Sequence, residues 1–141
     1  MIKRILLPVD FSETSQRAAR WGIELASQLA AEALVVIVLD VGDLRVAMDA
    51  GLHGFENDED VKRQVQEWID SEYAKIVPPD AQNVRREIRR GIVEKEIIET
   101  VAQYEPQLIV MGSVGITRRL PVGSKTVYVI GHCKVPVTVV R

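Results

Sequence analysis

The 141-residue sequence has one cysteine and two histidines, and this scarcity argues against several kinds of protein and of site. The single cysteine, Cys133, cannot form an internal disulfide, which argues against the disulfide scaffold of a small secreted domain. The only two histidines, His53 and His132, cannot be assembled into a Cys-His or Ser-His-Asp catalytic set. The acidic residues near His53 lack the ligand spacing of a calcium loop. We therefore expect no catalytic residues and no metal site built from side chains alone.

Long apolar runs and an excess of positive charge are also absent. The longest apolar run, Ala33 to Leu39, is far shorter than the roughly 20 residues that a membrane-spanning helix needs. The run behind Lys3 and Arg4 stops at Asp10, too early for a secretory signal. Eighteen basic and twenty acidic side chains give a net charge of −2, without the basic field that draws proteins to nucleic acid. We expect a cytoplasmic protein that engages neither membrane nor nucleic acid.

The composition that remains is that of an ordinary globular domain. Hydrophobic residues make up 47% of the chain and charged residues 27%, far from the compositions that stay disordered. A chain of this length is long enough to bury about two thirds of the surface that it exposes when unfolded. We therefore expect residues 1–141 to form one domain.

The order of apolar segments predicts an α/β fold. Three apolar runs without polar alternation are typical of strands buried on both faces of a parallel sheet; they are residues 5–9, 34–39 and 108–111. Apolar residues at helical spacing predict helices over residues 12–30, 61–76 and 97–104. A weaker strand is predicted at residues 84–88 and a final one at 136–140, whereas residues 125–134 fit either a strand or a helix. Alternating strands and helices indicate a parallel sheet layered between helices.

Ligands of open parallel sheets bind beyond the carboxyl ends of the strands. This rule directs attention to Asp10, to Asp40 and Val41, and to the residues from Gly112 onward. Gly112-Ser113-Val114-Gly115 is followed, after seven residues, by Gly123-Ser124. Glycine allows close backbone approach, and the N–H groups at a helix start attract phosphate. Taken alone, however, such glycines mark a plain turn more often than a phosphate site.

Several other features have structural explanations. The four arginines of residues 85–90 lie close to four glutamates, so a solvated strand edge explains them better than a nucleic-acid site. Trp21 and Trp68 are expected to anchor helices to the sheet. Gly123-Ser124-Lys125-Thr126 is not the end of a P-loop, because Ser124 occupies the position before the lysine where that motif has glycine.

The sequence resembles a known family in three segments: residues 5–12 (ILLPVDFS), 108–115 (LIVMGSVG) and 133–140 (CKVPVTVV). Together they resemble the universal stress proteins, and the resemblance covers nearly the whole chain. It implies a single Rossmann-like, three-layer domain with a five-stranded parallel sheet in the order 3-2-1-4-5, helices on both faces and a helix at residues 125–134. It also implies a homodimer and, in one branch of the family, ATP in the crevice between strands 1 and 4.

The resemblance implies a binding role for ten residues. Those expected to hold adenine and ribose are Pro8, Val9, Asp10, Val41 and Met111. Those expected to face the phosphates, with Mg²⁺ or Mn²⁺ bound to the phosphate oxygens, are Gly112, Gly115, Gly123, Ser124 and Lys125. Apart from the resemblance, Asp10 or Ser12 is the expected N-cap of the first helix. An N-cap at Asp10 is compatible with a contact to ribose.

The sequence departs from the nucleotide-binding branch in its glycine loop. That branch has nine residues between its second and third glycines, whereas seven separate Gly115 from Gly123. Two missing residues remove up to about 7 Å of reach, so the phosphate cradle must be reshaped. Asp40 also stands where the family often has histidine before the valine, and Gln107 replaces a common aspartate.

Three functions are therefore open. The leading hypothesis is a dimeric ATP-binding or ATP-sensing regulatory module of the stress response, with the dimer formed through residues 136–140. The shorter loop favours an alternative, the same fold without nucleotide acting as a dimeric protein-interaction module. A slow ATP hydrolase is the third hypothesis, for which the sequence offers no evident general base beyond Asp10 or Asp40.

Overall fold

A computed structural model of the protein describes residues 1–40, 59–113 and 122–141. Its strands are β1 (Arg4–Val9), β2 (Glu32–Asp40), β3 (Val84–Gly91), β4 (Leu108–Gly112) and β5 (Val137–Val140). Its helices are α1 (Glu13–Gln28), α2 (Glu59–Ile76), α3 (Val93–Tyr104) and α4 (Ser124–His132).

All five strands pair in parallel in one sheet, in the order β3-β2-β1-β4-β5. In the centre of the sheet, Leu6 of β1 lies between Leu34 of β2 and Ile109 of β4. The chain runs from β1 outward through β2 to β3, and then crosses back to β4 on the other side of β1. The predicted sheet order is therefore confirmed.

Two cores cover the two faces of the sheet. Leu7 of β1 packs in the core under α1 and α2, which also contains Ile69. Its neighbour Leu6 packs on the opposite face under α3 and α4, together with Ile97 and Val129. Successive strand residues point to opposite faces, so a strand covered on both sides is apolar at every position. This two-sided burial accounts for the unbroken apolar runs in the sequence.

The segment whose pattern fitted either strand or helix forms α4, as the family resemblance implied. Thr126 and Val129 are its buried residues, three positions apart on one helical face. Val127 and Ile130 are 56% and 50% exposed, so these two apolar side chains lie on the outward face of α4. Packing against the sheet and α3 thus overrides the strand propensity of the branched residues.

β3 is an edge strand, and three of its arginines, Arg85, Arg86 and Arg89, are paired with carboxylates. Arg86 donates to Asp70 of α2 at 2.7 Å, and this hydrogen bond lowers the pKa of the Asp70 carboxyl. On the other face, Arg89 donates to Glu96 at 2.8 Å and to Glu87 at 2.9 Å. The charged side chains therefore tie β3 to the helices on both faces, which is the structural explanation expected for them.

The prediction for the two tryptophans is wrong. Trp21 of α1 is 44% exposed and Trp68 of α2 is 51% exposed, so neither is a core anchor. The buried contacts of α1 are made instead by small side chains, among them Ala18, Ala19 and Ala26.

In the three ranges that the structure describes, no helix is both long and apolar enough to span a membrane.

Candidate functional site

The strand order reverses between β1 and β4. The helices that follow these two strands, α1 and α4, pack on opposite faces of the sheet. In open parallel sheets, a ligand crevice lies above the carboxyl ends of the strands at such a reversal. Val9 ends β1 and Gly112 ends β4. Asp10 and Ser113 therefore follow at the same end of the sheet, which is where the sequence placed a ligand.

The turn between β1 and α1 has an unusual backbone. Phe11 adopts φ 61°, a left-handed conformation that is uncommon for residues other than glycine. The carboxylate Oδ1 of Asp10 accepts a hydrogen bond from the Ser12 N–H at 2.9 Å, which bridges the turn. The side-chain amide of Gln16 donates to the Phe11 carbonyl at 2.8 Å. These bonds hold the exposed Asp10 carboxylate at the mouth of the crevice.

Ser12, rather than Asp10, is the N-cap of α1. Its Oγ accepts from the Ser15 N–H at 3.3 Å, and the Ser15 hydroxyl donates in turn to the Ser12 carbonyl at 3.1 Å. Of the two N-cap candidates in the sequence, the structure therefore selects the second. The Asp10 carboxylate stays outside the helix cap, which leaves it at the crevice as a polar group.

Gly112 lies against the N-terminus of α1. A Cβ on Gly112 would come within 2.7 Å of the Ser15 nitrogen and of the Thr14 Oγ1. Such separations are shorter than van der Waals contact, and one of the two atoms belongs to the backbone. The glycine thus has a packing role in bringing β4 and α1 together, whether or not it also faces a ligand.

The two ends of the glycine-rich loop are joined by hydrogen bonds. The Gly123 N–H donates to the Ser113 carbonyl at 2.6 Å, and the Thr126 hydroxyl donates to the Gly112 carbonyl at 3.1 Å. Ser113 also donates its N–H to the Val140 carbonyl at 2.8 Å. The start of α4 is therefore fixed directly beside the carboxyl end of β4.

The N-terminus of α4 has no side-chain cap. Gly123 is the N-cap residue, with φ −64° and no side chain to accept from the first turn. Its carbonyl accepts from the Val127 N–H at 3.1 Å, which begins the helical ladder. The N–H groups of Ser124 and Lys125 precede that bond and have no carbonyl partner within the helix. They carry the positive end of the helix dipole, which favours an anion.

The predicted site residues fall into four groups. Pro8, Val9 and Met111 are buried near the carboxyl ends of β1 and β4. Asp10, Ser124 and Lys125 are exposed, and Gly112 and Gly123 are half-buried. Val41 and Gly115 lie outside the described residues. The Gly123 N–H already donates to Ser113, so Ser124 and Lys125 supply the free amides of this helix start.

Sequence reasoning missed two residues that shape the site. Thr126 is 4% exposed, and its hydroxyl ties α4 to β4. Trp68 of α2 packs edge-on against Phe11, with the ring centroids 5.3 Å apart and an interplanar angle of 81°. A hydroxyl in the first turn of a helix is a local sequence signal for the Thr126 contact. The contact between Trp68 and Phe11 joins two elements that are distant in sequence, so it has no such signal.

The family model of the universal stress protein family matches residues 1–141 of this chain. Universal stress protein MJ0531 of Methanocaldococcus jannaschii is 30% identical over 143 aligned positions, which cover 100% of this chain and 83% of that protein. Among solved structures, hypothetical protein MJ0577 superposes with a TM-score of 0.80 at 30% identity, over 99% of this chain and 96% of the other. The universal stress protein UspA from Lactobacillus plantarum superposes with a TM-score of 0.69 at 28% identity, over 99% and 98% of the two chains.

Two more distant structures of the same fold were solved with adenine nucleotides. One is a universal stress protein in complex with cAMP, with 15% identity and a TM-score of 0.64. The other is the universal stress protein from Archaeoglobus fulgidus in complex with dAMP, with 16% identity and a TM-score of 0.67. At this identity, the likeness to this chain is one of fold.

Proposed function

The chain belongs to the universal stress protein family, and from that premise we propose that it binds an adenine nucleotide, with ATP as the expected ligand, at the carboxyl ends of β1 and β4. One observation carries the proposal. The hydrogen bond from Gly123 to Ser113 sets an uncapped helix N-terminus directly beside the end of β4. The crevice thus presents free N–H groups where a phosphate would need them.

The adenosine half of the ligand would lie toward β1. The backbone of Pro8 and Val9, with Met111 across the crevice, would line the base, and the Asp10 carboxylate would accept from a ribose hydroxyl. Asp10 is exposed and already oriented by the Ser12 N–H, so little ordering would be needed on binding. Val41 belongs to the same expectation but lies outside the described residues.

The phosphate half would lie toward α4. The N–H groups of Ser124 and Lys125 would donate to phosphate oxygens, and the Lys125 ammonium would add a charge. Gly112 and Gly123 would allow the ligand to approach the backbone closely, and Gly115, outside the described residues, is expected to do the same. Because the loop is short, we expect weaker phosphate contacts than adenosine contacts and a micromolar or weaker affinity.

A divalent cation would enter with the nucleotide. In the described ranges, no group of three His, Cys, Asp or Glu side chains is placed to hold a metal ion by itself. Mg²⁺ is commonly held by phosphate oxygens, water and one or two carboxylates. Mg²⁺ or Mn²⁺ held by phosphate oxygens and water therefore fits the residues present, and the Asp10 carboxylate remains assigned to the ribose.

Two relatives support the choice of ligand class. The proteins solved with cAMP and dAMP share this fold and hold adenine nucleotides.

We extend the proposal to a cytoplasmic, dimeric regulatory protein of the stress response that binds or senses ATP. The shorter glycine loop favours a second candidate, the same dimer acting as a protein-interaction module without nucleotide.

Calorimetric titration with ATP and magnesium tests the proposed site. Lys125→Ala should weaken ATP binding by about three- to tenfold while leaving adenosine affinity unchanged, because one charge-assisted phosphate contact is lost. Lys134→Ala removes an equally exposed ammonium beyond the other end of α4 and should change neither affinity. If millimolar ATP gives neither heat nor a thermal shift, the nucleotide function fails and the interaction module takes its place.

Hydrolysis of ATP should be very slow. Among the residues that the structure describes, no side chain is evidently placed to activate water, and the candidates for a general base are the two carboxylates nearest the strand ends, Asp10 and Asp40. We expect a turnover below about 1 s⁻¹, under the common range of enzymes. A faster turnover that is lost in Asp10→Asn or Asp40→Asn would contradict this expectation and identify the base.

A further inference from the structure

Trp68 contacts the turn that carries Asp10, although it belongs to a different element. Its ring packs edge-on against Phe11 at 5.3 Å, and half of its surface remains in solvent. Aromatic pairs prefer this edge-to-face geometry because the positive ring edge meets the negative ring face. The contact joins α2 to the residue directly after Asp10.

Phe11 is a residue that must be held in place. Its φ of 61° is the left-handed conformation, which is unfavourable for a residue with a Cβ and persists only where surrounding contacts determine it. In the described ranges, the Phe11 side chain packs against the core under α1 and α2, and two specific contacts hold the residue further. The Gln16 amide holds the Phe11 carbonyl at 2.8 Å, and Trp68 holds its ring.

The conformation of Phe11 determines where the Asp10 carboxylate points. The Asp10 Oδ1 accepts from the Ser12 N–H across Phe11, at 2.9 Å, so rotation of Phe11 into an ordinary conformation would separate the two groups. The carboxylate would then lose its fixed orientation at the crevice. The effect reaches Asp10 through Phe11 without a direct contact between Trp68 and the ligand.

We propose that Trp68 is a positioning residue for the adenosine half of the site, which it orders by packing on Phe11 and thereby orienting the Asp10 carboxylate. The inference rests on the proposed function for its ligand, but the ordering of the turn stands without any ligand. In this role the exposed Trp68 side chain preorganises the site, which reduces the ordering cost of binding.

Amide hydrogen exchange in the nucleotide-free protein tests the ordering step. Trp68→Ala should accelerate exchange of the Ser12 amide by about three- to tenfold, the loss expected for one aromatic pair. Exchange at Val35 in the core should be unchanged. Trp68→Phe, which keeps an aromatic edge, should restore most of the protection. Trp21→Ala, which removes a similarly exposed ring from α1, should leave Ser12 exchange at the wild-type rate.

Calorimetry with adenosine tests the consequence. Trp68→Ala should weaken adenosine binding by about three- to tenfold and Trp68→Phe by less than about twofold. Unchanged Ser12 exchange, or acceleration that extends equally to Val35, would overturn the positioning role. Faster Ser12 exchange with unchanged adenosine affinity would also overturn it. If the wild type does not bind adenosine, the proposed function fails, and the Ser12 exchange rate alone decides whether Trp68 orders the turn.

Discussion

Val139→Asp should convert the protein from a dimer to a monomer. The carbonyls of Pro136, directly before β5, and of Val140 face β4, where they accept from the N–H groups of Ile109 and Ser113. The backbone groups of successive strand residues point to opposite sides, so those of Val137 and Val139 face the outer edge of the sheet. An apolar edge with free N–H and C=O groups tends to pair with another chain, and we propose that it pairs with its own copy.

A twofold axis would place two β5 strands antiparallel and side by side. Each Val139→Asp chain would then contribute one carboxylate to the same interface. Two buried, unpaired charges side by side are strongly unfavourable. Val127 and Ile130 of α4, each at least half exposed, are available to extend the contact on the Val139 face. We expect the mutation to remove nearly all dimer at micromolar concentration.

Sedimentation measures the oligomeric state of the wild type and of Val139→Asp directly. The wild type should sediment at twice the chain mass of 15.8 kDa, and Val139→Asp at the single mass. Ile92→Asp introduces the same charge at an exposed apolar position away from β5 and should leave the dimer intact. The proposed interface is wrong if the wild type is a monomer, or if Val139→Asp and Val137→Asp are both folded and dimeric.

Gly112→Ala should destabilise the protein by about 3 kcal/mol, near the upper end of the usual cost of overpacking. The added methyl would lie 2.7 Å from the Ser15 nitrogen and 2.8 Å from the Thr14 carbonyl carbon. These are backbone atoms at the start of α1, so relief requires the helix and β4 to separate. Both elements contribute to the buried core, which makes that separation costly.

Gly131→Ala is the matched control for this prediction. Gly131 lies in α4, and in the described part of the chain no atom outside its chain neighbours and the nearby backbone of α4 stands within 4 Å of the position that its Cβ would occupy. Alanine there should stabilise the protein by about 0.5 kcal/mol through helix propensity and a less flexible unfolded chain. Urea denaturation compares the stabilities of Gly112→Ala and Gly131→Ala with that of the wild type. A midpoint for Gly112→Ala equal to that of the wild type would show that β4 and α1 can adjust at little cost.

Much of the fold could be predicted because burial determines the pattern of the central strands. β1, β2 and β4 are covered on both faces, so their apolar runs are unbroken and easy to recognise. β3 is harder, because it is an edge strand whose arginines reach carboxylates on α2 and α3. α4 could not be assigned from its pattern alone, because Val127, Val129 and Ile130 are branched and only tertiary packing selects the helix.

The region proposed as the site follows from the topology, whereas the contacts around it do not follow from the sequence. The topology rule placed it beyond β1 and β4, and the glycines marked its second half. The packing role of Gly112 depends on Thr14 and Ser15, which are distant in sequence. The support of Phe11 by Trp68 depends on how α2 lies against the β1–α1 turn. Neither contact leaves a local pattern, since both arise only when separate elements meet.

The central claim is that an adenine nucleotide binds at the carboxyl ends of β1 and β4, and amide chemical shifts during an ATP–magnesium titration test it most directly. The amides that should move with increasing ATP are those of Asp10, Ser113, Ser124 and Lys125. The amides of Asn83 and Gln107, which precede β3 and β4 at the opposite end of the sheet, should stay in place. Shifts confined to that opposite end, or no shifts at millimolar ATP, would contradict the claim.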